Sequence, residues 1–122
     1  MTPLPTIAII DDDAGVRASL SSLVRSLGYD VRTYASACAF LDDTAQAGPD
    51  CVISDMQMPA MDGEQLQATL DARGRHAPMI FITAFPDEAV RARVMAAGAV
   101  AFLPKPVEDS AIARWLDLAL HA

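Results

Sequence analysis

Five short strand-like runs, most of them apolar, punctuate the chain, and each is followed by a stretch in which apolar residues return every three or four positions. The runs are TIAII at 6–10, DVRTY at 30–34, DCVIS at 50–54, PMIFIT at 78–83 and VAFL at 100–103. Runs this short, bounded by Asp, Gly and Pro, read as strands, and the first is apolar enough to be buried on both faces. Between the first two runs, Val16, Leu20, Leu23, Val24 and Leu27 recur at helical spacing; Asp13 is placed to cap that helix and Gly28 to stop it. The later helical stretches present Phe40 and Leu41, then Leu66 and Leu70, then Val90, Val94 and Ala97, and finally Ile112, Trp115, Leu116 and Ala119. Five strands alternating with five helices predict an α/β fold. Each crossover returns the chain to the same edge, giving a parallel sheet with helices on both faces.

Length narrows this to one compact domain over residues 1–122, with no internal repeat or low-complexity run. Although 52% of the residues are hydrophobic, no apolar segment approaches the roughly 18 residues a bilayer span requires, so no membrane insertion is expected. The opening residues MTPLPT lack the basic start and apolar core of a signal peptide. Cys38 and Cys51 have no metal-type spacing, and a reducing cytoplasm fits. A formal net charge of −7, with basic residues scattered singly, leaves no positive stripe for nucleic-acid phosphates. Eight of the nine basic residues are arginine, and Lys105 is the only lysine.

Charge changes the picture once it is placed on the fold. In an open parallel sheet, functional groups gather beyond the carboxyl ends of the strands. Asp11, Asp12 and Asp13 follow strand one, Asp55 ends strand three, Thr83 ends strand four, and Lys105 lies just past strand five. Taken singly, each has an ordinary explanation: acids at a helix N-terminus, a turn aspartate, a strand-end hydroxyl, a solvated lysine. Jointly they form a rim. Crowded carboxylates repel one another unless a cation is present, and hard oxygen donors without histidine or cysteine favour Mg²⁺ or Mn²⁺ over Zn²⁺. A carboxylate, a divalent cation, a hydroxyl and an ammonium together suit phosphoryl chemistry, with an aspartate as nucleophile. Cys38, Cys51 and the six methionines read as core filler, and His76 and His121 as surface residues.

The segments IIDDD at 9–13, VISDMQMPAMDG at 52–63, FITA at 81–84 and AGAVAFLPKP at 97–106 resemble, in order and spacing, the receiver domain of bacterial two-component response regulators. The wording is most similar to the receivers of nitrogen-fixation transcriptional regulators. The resemblance implies a flavodoxin-like sheet of order 2-1-3-4-5. It also implies roles: Asp55 as phosphoacceptor, Asp12 as direct metal ligand, Asp11 as an acidic partner often acting through water, and Gln57 as a backbone-carbonyl ligand. Thr83 and Lys105 would hold the phosphoryl group, Phe102 would stand at the aromatic switch position, and the Lys105–Pro106 bond would be cis. Phe102 replaces the commoner tyrosine, and in this family the residues at Gln57 and Phe85 flank the path of an attacking water.

The implied partner is a sensor histidine kinase. The implied response is a change in the surface of helix four, strand five and helix five, including Arg91, Val94 and the helix bearing Trp115, that promotes homodimerisation or partner docking and controls transcription. Both a stand-alone regulator and the amino-terminal piece of a longer one with a further output domain stay open. A haloacid-dehalogenase-like phosphatase needs a second acid two positions after the nucleophile, where Gln57 stands. A pseudo-receiver docking module should lack some of the site residues, and a flavin domain should carry a Ser/Thr/Gly-rich loop after strand one.

Overall fold

Side chains alternate across the first strand, and this alternation organises the protein. In a computed structural model describing residues 4–44 and 47–121, β1 (Thr6–Ile10) points Ile7 and Ile9 to one face and Ala8 and Ile10 to the other. It is followed by α1 (Ala14–Ser26), β2 (Asp30–Tyr34), α2 (Ala37–Asp42), β3 (Cys51–Asp55), α3 (Gly63–Ala72), β4 (Met79–Thr83), α4 (Glu88–Ala96), β5 (Ala101–Pro104) and α5 (Asp109–His121). The strands pair in parallel in the order β2-β1-β3-β4-β5, so strand order reverses at β1 and β3. This is the expected α/β arrangement.

Two cores result. Ile7, Ile9, Ile53, Ile80 and Ile82 meet Leu20 and Val24 of α1 and Ile112 and Leu116 of α5. Ala8, Ile10, Val52 and Phe81 meet Phe40 of α2, Leu66 and Leu70 of α3, and Val94 of α4. The central strands β3 and β4 are buried along their whole length, which accounts for their nearly unbroken apolar sequence.

The last three strands each begin one residue later than the apolar runs suggest. Pro78 has no amide to donate to a ladder, and Asp50 instead flanks β1, its carboxylate accepting the Thr6 N–H at 2.7 Å. Three placements differ in kind. Ala97 and Leu27 cap helices α4 and α1 at their C-termini and stand exposed instead of facing the core, because the chain turns away immediately afterwards through Gly98 and Gly28, both at positive φ. Cys38 is exposed, not core filler, since the short α2 turns Ala37, Phe40 and Leu41 inward and leaves it outside. Cys51 and Met56, Met58 and Met79 are buried as expected, while Met61 and Met95 pack at the core's edge. Met1, Thr2 and Pro3, which bear on the expected absence of a leader, and Ala122 lie outside the described residues. Among the described residues no helix is long and apolar enough to cross a membrane.

Candidate functional site

The ends of β1, β3 and β4 and the loop after β5 converge at the rim where strand order reverses. Asp11, one residue past β1, donates its amide to the Tyr34 carbonyl at 3.1 Å, extending the pairing with β2 by one step. Its own carbonyl accepts Arg17 Nη1 of α1 at 2.7 Å. Fixed at both backbone groups, Asp11 is fully buried, its Oδ1 accepting the Asp13 amide at 2.8 Å. Asp13 faces away and caps α1, accepting the amides of Gly15 and Val16 at 2.8 and 3.1 Å. The three consecutive acids therefore do different things.

Asp55, the last residue of β3, is buried, and its Oδ1 accepts the Gln57 amide at 3.3 Å. Lys105 Nζ donates to Asp55 Oδ2 at 3.3 Å and to Asp11 Oδ2 at 3.2 Å, bridging the two buried acids. The Lys105 backbone amide donates to the Thr83 carbonyl at 2.8 Å, and the Lys105–Pro106 peptide bond is cis. Burial, and then the neighbouring Asp11, raise the Asp55 pKa; Lys105 and the Gln57 amide offset this only in part. For Lys105, burial pulls the pKa down, but the carboxylates of Asp11 and Asp55 outweigh it and the net shift is upward.

Asp12 stands exposed beside this pair. Each of Asp11, Asp12 and Asp55 offers a carboxylate oxygen, and all lie within 4.8 Å of one another. The donor set is oxygen only, acidic, and compensated by a single ammonium, which fits a hard divalent cation; receiver domains generally hold Mg²⁺ in such an acidic pocket. Thr83, at the end of β4, is also buried. Its hydroxyl donates to Gln57 Oε1 at 2.6 Å and accepts the Phe85 amide at 3.0 Å. Phe102 is half-buried on β5, opposite Phe81 and against the α2–α3–α4 core, not in the acidic cluster.

Three contributors escape a reading of the sequence alone. Arg17 looks like any solvated helix arginine, and only the fold brings its guanidinium onto the Asp11 carbonyl. Gly63, at the start of α3, has no room for a side chain: a Cβ there would meet the Asp55 carbonyl oxygen at 2.9 Å and the Phe81 ring at 3.0 Å. Its place in the MDG of the 52–63 segment was the available signal. The third is the hydrogen bond that ties the exposed Gln57 side chain to Thr83, a contact the family resemblance does not imply.

A family profile described as response regulator receiver domain matches residues 7–117, and the chain belongs to that family. The transcriptional regulatory protein FixJ of Azorhizobium caulinodans is 40% identical over 106 residues, covering 87% of this chain and 50% of the relative. The response regulator protein TmoT of Ectopseudomonas mendocina is 42% identical over 103 residues, 84% of this chain and 47% of the relative. Among solved structures, FixJ-N superposes with a TM-score of 0.87 at 33% identity, covering 100% of this chain and 98% of that one. Full-length FixJ from B. japonicum gives 0.86 at 36% identity, covering 97% of this chain but 58% of that one. The chain spans about half the length of the curated relatives it matches. It is thus a two-component receiver domain with transcriptional regulators among its relatives, in a signalling family and not a classical enzyme family.

Proposed function

We propose that Asp55 accepts a phosphoryl group from the phosphohistidine of a sensor kinase in a Mg²⁺-dependent reaction. The observation that carries this is the Lys105 ammonium, held within 3.3 Å of both Asp55 and Asp11 beside the exposed Asp12. A carboxylate oxygen of Asp55 attacks phosphorus. The O–P bond forms as the P–N bond breaks, and the electron pair leaves with the donor imidazole. Lys105 then pairs with a phosphoryl oxygen and the Thr83 hydroxyl donates to another, so that charge on the transferring group is met by fixed donors. Asp11, Asp12, Asp55 and the Gln57 backbone carbonyl would hold Mg²⁺, with Mn²⁺ as a substitute. The ion supplies neutralisation of the acidic pocket.

The signal leaves through Thr83 and Phe102. Recruitment of the Thr83 hydroxyl to the phosphoryl group draws the 84–87 loop toward Asp55 and opens space for the Phe102 ring to rotate inward. Burying an aromatic ring is worth on the order of 2 kcal/mol, enough to shift a two-state equilibrium severalfold. The surface of α4, β5 and α5 then favours homodimerisation or docking of an output partner. Residues 1–122 act as a single receiver, in the cytoplasm; that FixJ, a relative, is a transcriptional regulatory protein supports transcription as the process controlled, whether the output partner is joined to this chain or separate. The chain makes no nucleic-acid contact of its own in this scheme. Transfer of label from a phosphorylated histidine kinase, or from acetyl phosphate, to the wild-type protein and to Asp55→Asn tests the assignment. Loss of label in the variant supports it, and stable labelling at wild-type levels contradicts it.

A further inference from the structure

Gln57 is exposed at the mouth of the site, yet its side chain is committed to a buried partner. Gln57 Oε1 takes the proton of the Thr83 hydroxyl at 2.6 Å, while the Gln57 amide reaches Asp55 Oδ1 at 3.3 Å. One residue thus touches the acceptor carboxylate with its backbone and the β4 hydroxyl with its side chain. The hydroxyl oxygen already receives the Phe85 amide at 3.0 Å. A hydroxyl has two lone pairs but a single proton to donate. While Gln57 holds that proton, Thr83 cannot donate to a second acceptor.

We propose that the Gln57 side chain is a latch, a positioning residue that holds Thr83 in its resting orientation and competes with the incoming phosphoryl group for the one hydroxyl proton. The inference rests on the reading of Asp55 as phosphoacceptor, because the competitor is an oxygen of the group bound there. The chemistry of glutamine suits the task. Its amide oxygen is a neutral acceptor, so it adds no further negative charge beside Asp11, Asp12 and Asp55, whereas a carboxylate at this position would. An apolar side chain of the same reach would leave the hydroxyl free. Opening the latch costs about one net hydrogen bond, which lowers the apparent affinity for a phosphoryl mimic by about three- to tenfold.

The test is a double-mutant cycle on the full chain, with Mg²⁺ saturating and beryllofluoride as the phosphoryl mimic, followed by titration calorimetry. Gln57→Met keeps the length of the side chain and the backbone carbonyl but removes the acceptor; Gln57→Leu serves as a second version of the same change. In the Thr83 background each should tighten beryllofluoride binding by about three- to tenfold. In the Thr83→Val background, where there is no proton to hold, the same change should alter affinity by less than about twofold. In metal-free protein without the mimic, Gln57→Met should also shift the Thr83 β-carbon and methyl resonances. An equal gain in both backgrounds, no gain in either, or unmoved Thr83 resonances would overturn the latch. Failure of the wild-type protein to bind beryllofluoride would instead overturn the phosphoacceptor reading on which the latch depends, so the two failures are told apart by the wild-type titration.

Discussion

Lys105 Nζ stands 3.3 Å from Asp55 Oδ2, joining the end of β3 to the loop beyond β5 across 50 residues of sequence. The same ammonium reaches Asp11, so one partly buried cation compensates two buried carboxylates. Removing one partner of such a cluster leaves uncompensated charge, which costs more than the pair itself is worth.

Lys105→Met should therefore destabilise the metal-free protein by about 1–3 kcal/mol, less than for a fully buried pair because the lysine retains some contact with solvent. Added Mg²⁺ should recover much of that loss, since the ion replaces the missing positive charge. Urea denaturation with and without Mg²⁺ measures both effects. A loss that Mg²⁺ leaves untouched would indicate packing by the lysine stem instead of charge compensation.

Asp55 points the other way. Its pKa is raised in the folded protein, so folding there favours the protonated form and keeping the carboxylate ionised costs stability. That cost is absent below the ordinary aspartate range, grows as pH rises from there through the elevated folded pKa, and is complete above it. Asp55→Asn should thus raise the melting temperature of the metal-free protein at neutral pH, with the gain shrinking as pH falls into the acid range. Thermal melts in EDTA across that window check the sign; a gain that is constant with pH would remove ionisation as the cause.

The gathering of Asp11, Asp12, Asp55, Thr83 and Lys105 at one rim is legible in the sequence because it depends on topology: a parallel sheet forces residues at the ends of β1, β3 and β4 and beyond β5 to one edge, whatever their separation along the chain. The strands are legible because β3 and β4 are apolar up to their carboxyl ends, whereas their first residues are not, since Pro78 and Asp50 sit outside the ladder. The exposure of Cys38 is not legible because α2 is only six residues long, too short for its apolar spacing to fix which side faces in. The contacts that Arg17 and Gly63 make, and the hydrogen bond from Thr83 to the Gln57 side chain, are not legible in the sequence. These are contacts across elements, and nothing local in the chain distinguishes an arginine that finds a carbonyl from one that finds water.

Gly63 supplies a steric test. Because an added Cβ would press on the Asp55 carbonyl oxygen and the Phe81 ring, Gly63→Ala should cost about 1–3 kcal/mol and displace the end of β3. Mg²⁺ affinity should fall with it. Denaturation together with Mg²⁺ titration measures the two, and an unaffected variant would mean that α3 can withdraw from β3 without cost.

The cysteines offer a check on the fold itself. Cys51 is fully buried with its thiol pKa pushed up to about 12, chiefly by burial, while Cys38 is exposed. A thiol reagent at mildly alkaline pH should modify Cys38 rapidly in the native protein and reach Cys51 only on denaturation. Rapid native labelling of both would contradict the packing of β3.

Mass analysis after incubation with acetyl phosphate reads directly whether Asp55 carries the phosphoryl group. With Mg²⁺ present, the intact protein should gain the mass of one phosphoryl group, mapping to the peptide that contains Asp55. The gain should vanish in EDTA, in Asp12→Ala and in Asp55→Asn. No gain by the wild-type protein, a gain that survives in EDTA, or a phosphoryl group mapped to another residue would rule out Asp55 as a Mg²⁺-dependent phosphoacceptor.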